Sequence, residues 1–169
     1  MTSPGSSPDV PPAGHAYQAE IEREREGWYE FVRLVRLLTQ EERLEPGYYR
    51  HPDWTVRDVV VHLGTWLAEV QVQFERIGAG TYEGNDVDID ALNAALLEGM
   101  DGQPWEVVWV QAQAARTWML EVWYALSEPS DDAVWWIRKG AAEHYAEHLD
   151  RLQEWTDELI ARRSSEVAT

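Results

Sequence analysis

Helical periodicity is the feature of this sequence that most limits its fold. Apolar residues return every three or four positions in four long segments, which cover residues 17–44, 55–77, 104–127 and 133–162. Because no segment alternates apolar and polar residues between turn signals, no β-strand is predicted. Four long amphipathic helices predict an all-α fold, and a four-helix bundle buries their apolar faces together.

The helix boundaries carry residues that favour helix starts and stops. Thr55 can cap the second helix, with Asp58 as its capping-box partner three residues later. Gly78 and Gly80 are suited to ending this helix, and Pro104 suits the first turn of the third. The chain between them is long and holds one short helical segment near residues 90–97, so a long crossover is predicted between helices 2 and 3.

The two ends of the chain differ in composition from the periodic part. Residues 1–16, "MTSPGSSPDVPPAGHA", are rich in proline, glycine and serine, and we expect a disordered lead-in. This stretch lacks the basic start and apolar run of a secretory signal. We expect one bundle domain over residues 17–162 and a flexible C-terminal tail over residues 163–169.

Charge and composition exclude several classes of function. The formal net charge is −17, from 31 acidic and 14 basic residues, and such a surface repels nucleic-acid backbones and anionic membranes. The chain has no cysteine, which excludes disulfides, thiolate metal sites and a cysteine nucleophile. No apolar run approaches the length of a membrane span. We therefore expect a cytoplasmic protein that binds neither nucleic acid nor membrane.

Two histidines lie one helical turn apart in the last periodic segment, within "EHYAEHLDRL". His144 and His148 should project from the same helix face, roughly 6 Å apart along the axis. That face is the centre of the apolar stripe, within about 20° of Ile137 and Trp155. Burial lowers the pKa of histidine, and the neutral imidazole is the form that coordinates metal. The alternative is a pair of core histidines whose nitrogens are satisfied by neighbouring side chains or water.

A third histidine extends this hypothesis. His62 lies on the second helix, about 90° from the centre of its apolar stripe, at the edge of the buried face. Three imidazoles with one open position form the ligand set of a catalytic zinc site. Zinc is the expected metal, with nickel or iron(II) as alternatives, since nitrogen donors favour these over calcium and magnesium. His15 and His51 are interpreted as incidental.

Tryptophan is unusually abundant, with ten residues in the chain. At helical spacing Trp66, Trp118 and Trp155 are first interpreted as core residues. Not all ten indoles can be central, and a surplus can line a pocket for a flat or hydrophobic ligand. We expect such a pocket between helices 2, 3 and 4, open near His62 and lined by Trp66, Trp118 and Trp136.

Three stretches of this sequence together resemble a known superfamily. "DWTVRDVVVHLGTWLAEV", followed some eighty residues later by "AAEHYAEHLDRLQEW", resembles the DinB-like four-helix bundles. The histidine spacing of the second stretch, and "DIDALNAALLE" with its Asn93, are most similar to the ClbS/DfsB branch. The resemblance covers roughly residues 28–155.

This resemblance implies a fold, a ligand set and two kinds of chemistry. It implies an up-down-down-up bundle, often dimeric, in which His62, His144 and His148 hold a divalent metal. DinB-like relatives include thiol-dependent transferases and isomerases, whereas ClbS-like relatives hydrolyse an electrophilic ring in detoxification or self-resistance. A chain without cysteine would need a thiol cosubstrate for the first chemistry or a water nucleophile for the second.

Three functions remain open from the sequence. The chain is a metal-dependent enzyme acting on a small hydrophobic electrophile, a binding protein that sequesters a hydrophobic small molecule, or a bundle used only for association. Metal content separates the first from the third, and turnover of an electrophile separates the first from the second.

Overall fold

All the regular structure observed is helical. A computed structural model of the chain describes residues 18–49, 53–84 and 88–167, and within these ranges there is no strand. The predicted all-α class is confirmed. The elements, in chain order, are α1 (Gln18–Leu37), α2 (Gln40–Arg43), α3 (Val56–Ala79), α4 (Ile89–Gly99), α5 (Trp105–Ala125), α6 (Asp131–Ile137), a π-helical turn (Arg138–Ala142) and α7 (Glu143–Val167).

The predicted helix boundaries agree closely at α3 and less well elsewhere. Thr55 and Asp58 form the predicted capping box, and Gly80 ends α3 in the left-handed region with φ of +69°. The first predicted helix is divided in two, because Thr39 caps a new short helix, α2, by accepting a hydrogen bond from the Glu42 amide. The last helix extends to the end of the described chain, beyond the predicted boundary at residue 162. The predicted lead-in of residues 1–16 lies outside the described residues, as do His15 and His51.

Helices α3 and α5 run parallel and form the most extensive helix pair. Gly64 faces Ala112 near their middle, and further along both chains Phe74 packs against Trp123. A Cβ atom on Gly64 would meet the Cα atom of Ala112 at 3.0 Å, so the missing side chain allows the close approach. Two successive long helices can be parallel only if a long connection returns the chain, which here contains α4.

Helices α1 and α7 form the second parallel pair. Tyr145 near the start of α7 reaches Glu24 of α1, and Gln153 further along accepts a hydrogen bond from Arg33. α5 runs in the opposite direction to α1, since Arg116 binds Glu24 and the earlier Trp109 stacks on the later Trp28. The four long helical segments thus combine two parallel pairs that oppose each other.

A buried charged cluster joins three of these helices. The guanidinium of Arg116 donates two hydrogen bonds of 2.7 Å to the Glu24 carboxylate, and the Tyr145 hydroxyl donates a third of 3.0 Å. Arg116 also lies over the indole ring of Trp28. Glu24 and Tyr145 are fully buried and Arg116 nearly so, which means that each charge depends on its partner for compensation.

The prediction that Trp118 lies in the core is wrong. Trp66 and Trp155 are buried as expected, but the Trp118 side chain is 60% exposed. It lies about 140° around α5 from the buried stripe. Since α5 carries apolar residues on every face, its sequence does not indicate which face is buried.

None of the described helices combines the length and apolar character needed to cross a bilayer.

The buried cluster predicts a large and specific loss of stability. Arg116→Met should lower the free energy of unfolding by about 3–5 kcal/mol, because it leaves the Glu24 carboxylate buried without a cation. Arg33→Met is the control, since its ion pair with Glu30 is solvent-exposed and should contribute far less to stability. Urea unfolding followed by circular dichroism measures both. Equal losses in the two variants would contradict this interpretation.

Candidate metal centre

Three histidines from two antiparallel helical segments meet inside the bundle. His62 projects from α3, and His144 and His148 project from the first two turns of α7. One ring nitrogen from each lies within 4.8 Å of the others. The Nε2 atoms of His62 and His144 are 2.7 Å apart. The structure therefore brings together the three histidines that the sequence analysis selected.

Burial keeps all three imidazoles neutral at physiological pH. Desolvation lowers the pKa of His62 to about 4, that of His144 to about 3 and that of His148 to about 4. The neighbouring histidines contribute a smaller part of this lowering for His62 and His144, because two charged rings at this distance would repel. Neutral rings offer lone pairs, which a metal ion requires.

The loop before α3 holds His148 from two sides. The Tyr49 hydroxyl lies 2.9 Å from Nδ1 of the His148 ring, and the Tyr48 hydroxyl donates to the His148 backbone carbonyl at 3.0 Å. Arg151 fixes this loop by donating hydrogen bonds to the carbonyls of Tyr48 and Gly47. With Nδ1 engaged by Tyr49, the Nε2 atom of His148 is the nitrogen left for the cluster.

The π-helical turn orients His144. A hydrogen bond to the Gly140 backbone raises the pKa of the His144 ring and partly offsets burial, as expected when a ring N–H donates to a carbonyl. A neutral ring carries one proton, so this bond leaves a lone pair on the other nitrogen. Gly140 itself packs so tightly on α3 that an added Cβ would lie 2.2 Å from Cγ2 of Val70.

The crossover helix α4 supplies the residue beside His62. The side-chain oxygen of Asn93 accepts a 3.0 Å hydrogen bond from the Trp66 indole, and Asn93 also raises the pKa of His62 by hydrogen bonding to its ring. Trp54 packs against the other side of the His62 ring, with centroids 5.3 Å apart. Each histidine ring thus has a hydrogen-bond partner that is not one of the three histidines.

The cluster fits a divalent metal in number, charge and spacing. Zinc–nitrogen bonds of about 2.0–2.1 Å place two ligand nitrogens roughly 3.0–3.4 Å apart. The 2.7 Å separation of the His62 and His144 nitrogens reaches this range after small ring rotations. Hydrogen bonds on the far side of ligating histidines are the arrangement that orients such rings. His62, His144 and His148 can therefore bind one metal ion, and the His62 and His144 nitrogens also lie within hydrogen-bond distance of each other.

A cavity of about 440 Å³ opens directly onto the histidine cluster. Its volume lies in the range of small-molecule sites, about 300–1,000 Å³. Its wall is largely aromatic. The lining residues are His62, Trp66, Ile89, Asn93, Trp135, Trp136, Lys139, Gly140, His144, Glu147 and His148.

The observed cavity differs from the expected one in one wall. Trp66 and Trp136 line it as anticipated, but the exposed Trp118 on α5 does not. The third wall comes from α4, which contributes Ile89 and Asn93 in place of helix 3. The long crossover lays α4 beside the cavity mouth, whereas α5 packs on another face of α3.

Sequence reasoning missed five functional candidates in or beside this cavity. Tyr49 and Asn93 had no periodic signal, although Asn93 lies in a stretch that carries the family resemblance. Trp135 and Lys139 were hidden because the π-helical turn shifts the helix faces. Glu147, an exposed residue between the two histidines of α7, lines the rim of the cavity.

Comparisons of the chain with models of protein families, with curated proteins and with solved structures gave no match. The resemblance to DinB-like proteins therefore stays a prediction.

The low pKa values predict that acid destabilises the metal-free protein. The unfolded chain takes up protons on these rings as the pH falls through 6.5, while the folded rings stay neutral until about pH 4 or 3. Acid therefore favours unfolding, and the stability present above pH 6.5 declines progressively between pH 6.5 and about 4. Titration of the ring resonances by nuclear magnetic resonance tests this directly. Three cluster rings that titrate at their ordinary pKa would contradict it.

The Gly140–Val70 contact predicts a position-specific effect of one methyl group. Gly140→Ala should lower the free energy of unfolding by about 1–3 kcal/mol, because the new Cβ pushes the π-helical turn away from α3. Gly99→Ala is the matched helical control, since nothing lies within 4 Å of a Cβ there. The double variant Gly140→Ala/Val70→Ala should lose less stability than the sum of its single changes. Thermal unfolding of the wild type, the three single variants and the double variant measures this, and equal stability of Gly140→Ala and Gly99→Ala would refute it.

Proposed function

We propose that this protein is a metal-dependent enzyme that acts on a small hydrophobic electrophile. His62, His144 and His148 would hold one divalent ion, zinc in the first place and nickel or iron(II) as alternatives. One observation carries the proposal: three neutral imidazoles converge at the wall of an aromatic cavity large enough for a small molecule.

The number of histidines supports a catalytic role over a structural one. Structural zinc sites are closed by four protein ligands, whereas catalytic sites keep one position for water or substrate. The cluster among the described residues has three members and faces a cavity. A metal bound there would lower the pKa of a water or thiol that occupies the remaining position.

The residues in and beside the cavity are proposed to bind the electrophile, to orient the histidine rings and to accept a proton. Trp66 and Trp136 provide apolar surface that binds the electrophile and excludes bulk water. Tyr49 and Asn93 hold the outer sides of the His148 and His62 rings. Glu147 lies at the exposed rim, where its carboxylate can accept the proton released by an incoming water or thiol.

The absence of cysteine means that the nucleophile comes from outside the chain. The proposal allows a low-molecular-weight thiol, giving transfer or isomerisation, or water, giving ring hydrolysis. A cytoplasmic location fits the first because that compartment keeps thiols reduced. Detoxification or self-resistance is the corresponding biological role.

Membership of the DinB-like superfamily, nearest the ClbS/DfsB branch, is part of this proposal. It is supported by the order of the histidine helices, by the parallel α3 and α5, and by Asn93 beside His62. A homodimer is proposed on the same grounds. Val110 and Trp118 on α5, which are 63% and 60% exposed, offer apolar surface for it.

The aromatic cavity also supports a second candidate function. Three of its lining residues are tryptophans, which suits a protein that sequesters a hydrophobic molecule without turnover. Metal-loaded protein that binds an aryl epoxide but never converts it, with or without added thiol, would favour this candidate.

Replacing one histidine should separate metal binding from turnover. His148→Ala should reduce zinc affinity in calorimetry by more than about a hundredfold, because removing a ligand costs more than removing an outer partner. Glu147→Gln, at the position directly before His148, is the matched control. It should bind zinc like the wild type but convert an aryl epoxide at least about a hundredfold more slowly, since a proton acceptor is lost.

Two outcomes would overturn the proposal. Wild-type protein that takes up none of zinc, nickel and iron(II) would eliminate the metal centre. Unchanged zinc affinity in His148→Ala would place the metal elsewhere.

A further inference from the structure

Lys139 is the only lysine of the chain; the other thirteen of its fourteen basic residues are arginines. It lines the same cavity as the three histidines. Its side chain is 53% exposed and forms an ion pair with Glu143. Neither the metal centre nor the apolar wall accounts for a cation in this position.

The π-helical turn directs Lys139 toward the cavity. In an ordinary α-helix, residues five positions apart project about 140° from each other, so Lys139 and His144 would face different sides. At the end of the turn over Arg138–Ala142, the Glu143 amide bonds to the Arg138 carbonyl, five residues earlier, as in a π-helix. Residues five apart are thereby brought toward one face, and Lys139 and His144 line one cavity.

The ion pair of Lys139 can exchange its partner at little cost. Glu143 also accepts a 2.9 Å hydrogen bond from Arg138, which does not line the cavity. When the lysine turns toward a ligand, the Glu143 carboxylate keeps Arg138 as its partner. Lysine is suited to such movement, because its charge is a compact point on a flexible stem.

We propose that the cavity selects hydrophobic aromatic molecules that carry an anionic group, and that Lys139 binds this group. The inference rests on the proposed function for the cavity as the ligand site, and it names the substrate class. The tryptophans bind the ring system, and the ammonium group binds a carboxylate or sulfonate at the cavity mouth. A local cation is needed because a net charge of −17 otherwise repels anions.

The test uses two fluorescent probes that differ in one anionic group. Anilinonaphthalene sulfonate carries a sulfonate, and phenylnaphthylamine has the same rings without it. Both are titrated into the metal-free full-length protein, so that a bound metal does not contribute to anion binding. In Lys139→Met, the sulfonate probe should bind about tenfold more weakly, as expected on losing one charge-assisted contact, while the neutral probe should change by less than about twofold.

Two pairs of variants locate the effect. Arg33→Met removes an exposed charge on α1 that neither lines the cavity nor contacts Glu143, and it should leave both probes unchanged. Trp135→Leu should weaken both probes, whereas Trp118→Leu, at an exposed tryptophan away from the cavity, should weaken neither.

Direct contact between Lys139 and the sulfonate probe can be measured separately. Reductive methylation with labelled formaldehyde keeps the charge of Lys139 and gives one side-chain signal, distinct from that of the amino terminus. The sulfonate probe should shift this signal more than the neutral probe does.

Equal effects of Lys139→Met and Arg33→Met on the sulfonate probe would overturn the inference. So would equal losses for the two probes in Lys139→Met, or failure of both probes to bind. The first two results leave the metal centre and the proposed function intact. If the wild-type protein binds no metal in calorimetry but Lys139→Met still weakens the sulfonate probe selectively, the proposed reaction is wrong. The proposal that the cavity binds anionic aromatic molecules is then unaffected.

Discussion

The close contact between the π-helical turn and α3 determines the geometry of the candidate metal centre. Gly140 packs on Val70 with no room for a side chain, and its backbone accepts a hydrogen bond from the His144 ring. The same contact brings His144 to His62 across the two antiparallel segments. One extra residue in a helix thus sets both the position of a ligand and the face on which Lys139 lies. Such π-bulges are frequent at functional sites.

Burial gives these histidines the chemistry that a metal requires. The lowered pKa values mean that no proton competes for the ring nitrogens near neutral pH. The arrangement carries a cost, because ring nitrogens in an apolar interior need partners. Inside the cluster, the Nε2 atoms of His62 and His144 lie 2.7 Å apart, within hydrogen-bond distance of each other. The hydrogen-bond partners on the outer sides of the rings reduce that cost and fix the direction of the inner nitrogens. A site prepared in this way favours metal binding over protonation.

Much of the fold and the centre of the site could be predicted from the sequence, because both depend on local pattern. The capping box of Thr55 and the histidine pair on α7 follow from spacing alone. The exposure of Trp118 could not be predicted, since α5 is apolar on all sides and only tertiary packing selects its buried face. Lys139 was missed because a π-helical turn changes the helix phase without a sequence signal strong enough to reveal it.

The central claim is that His62, His144 and His148 bind one metal ion beside the cavity. X-ray absorption at the zinc edge of the zinc-loaded, desalted protein tests it most directly. The account predicts one zinc per chain with three imidazole nitrogens at about 2.0–2.1 Å and one light ligand from solvent. Zinc surrounded mainly by oxygen, or no zinc retained after desalting, would contradict it.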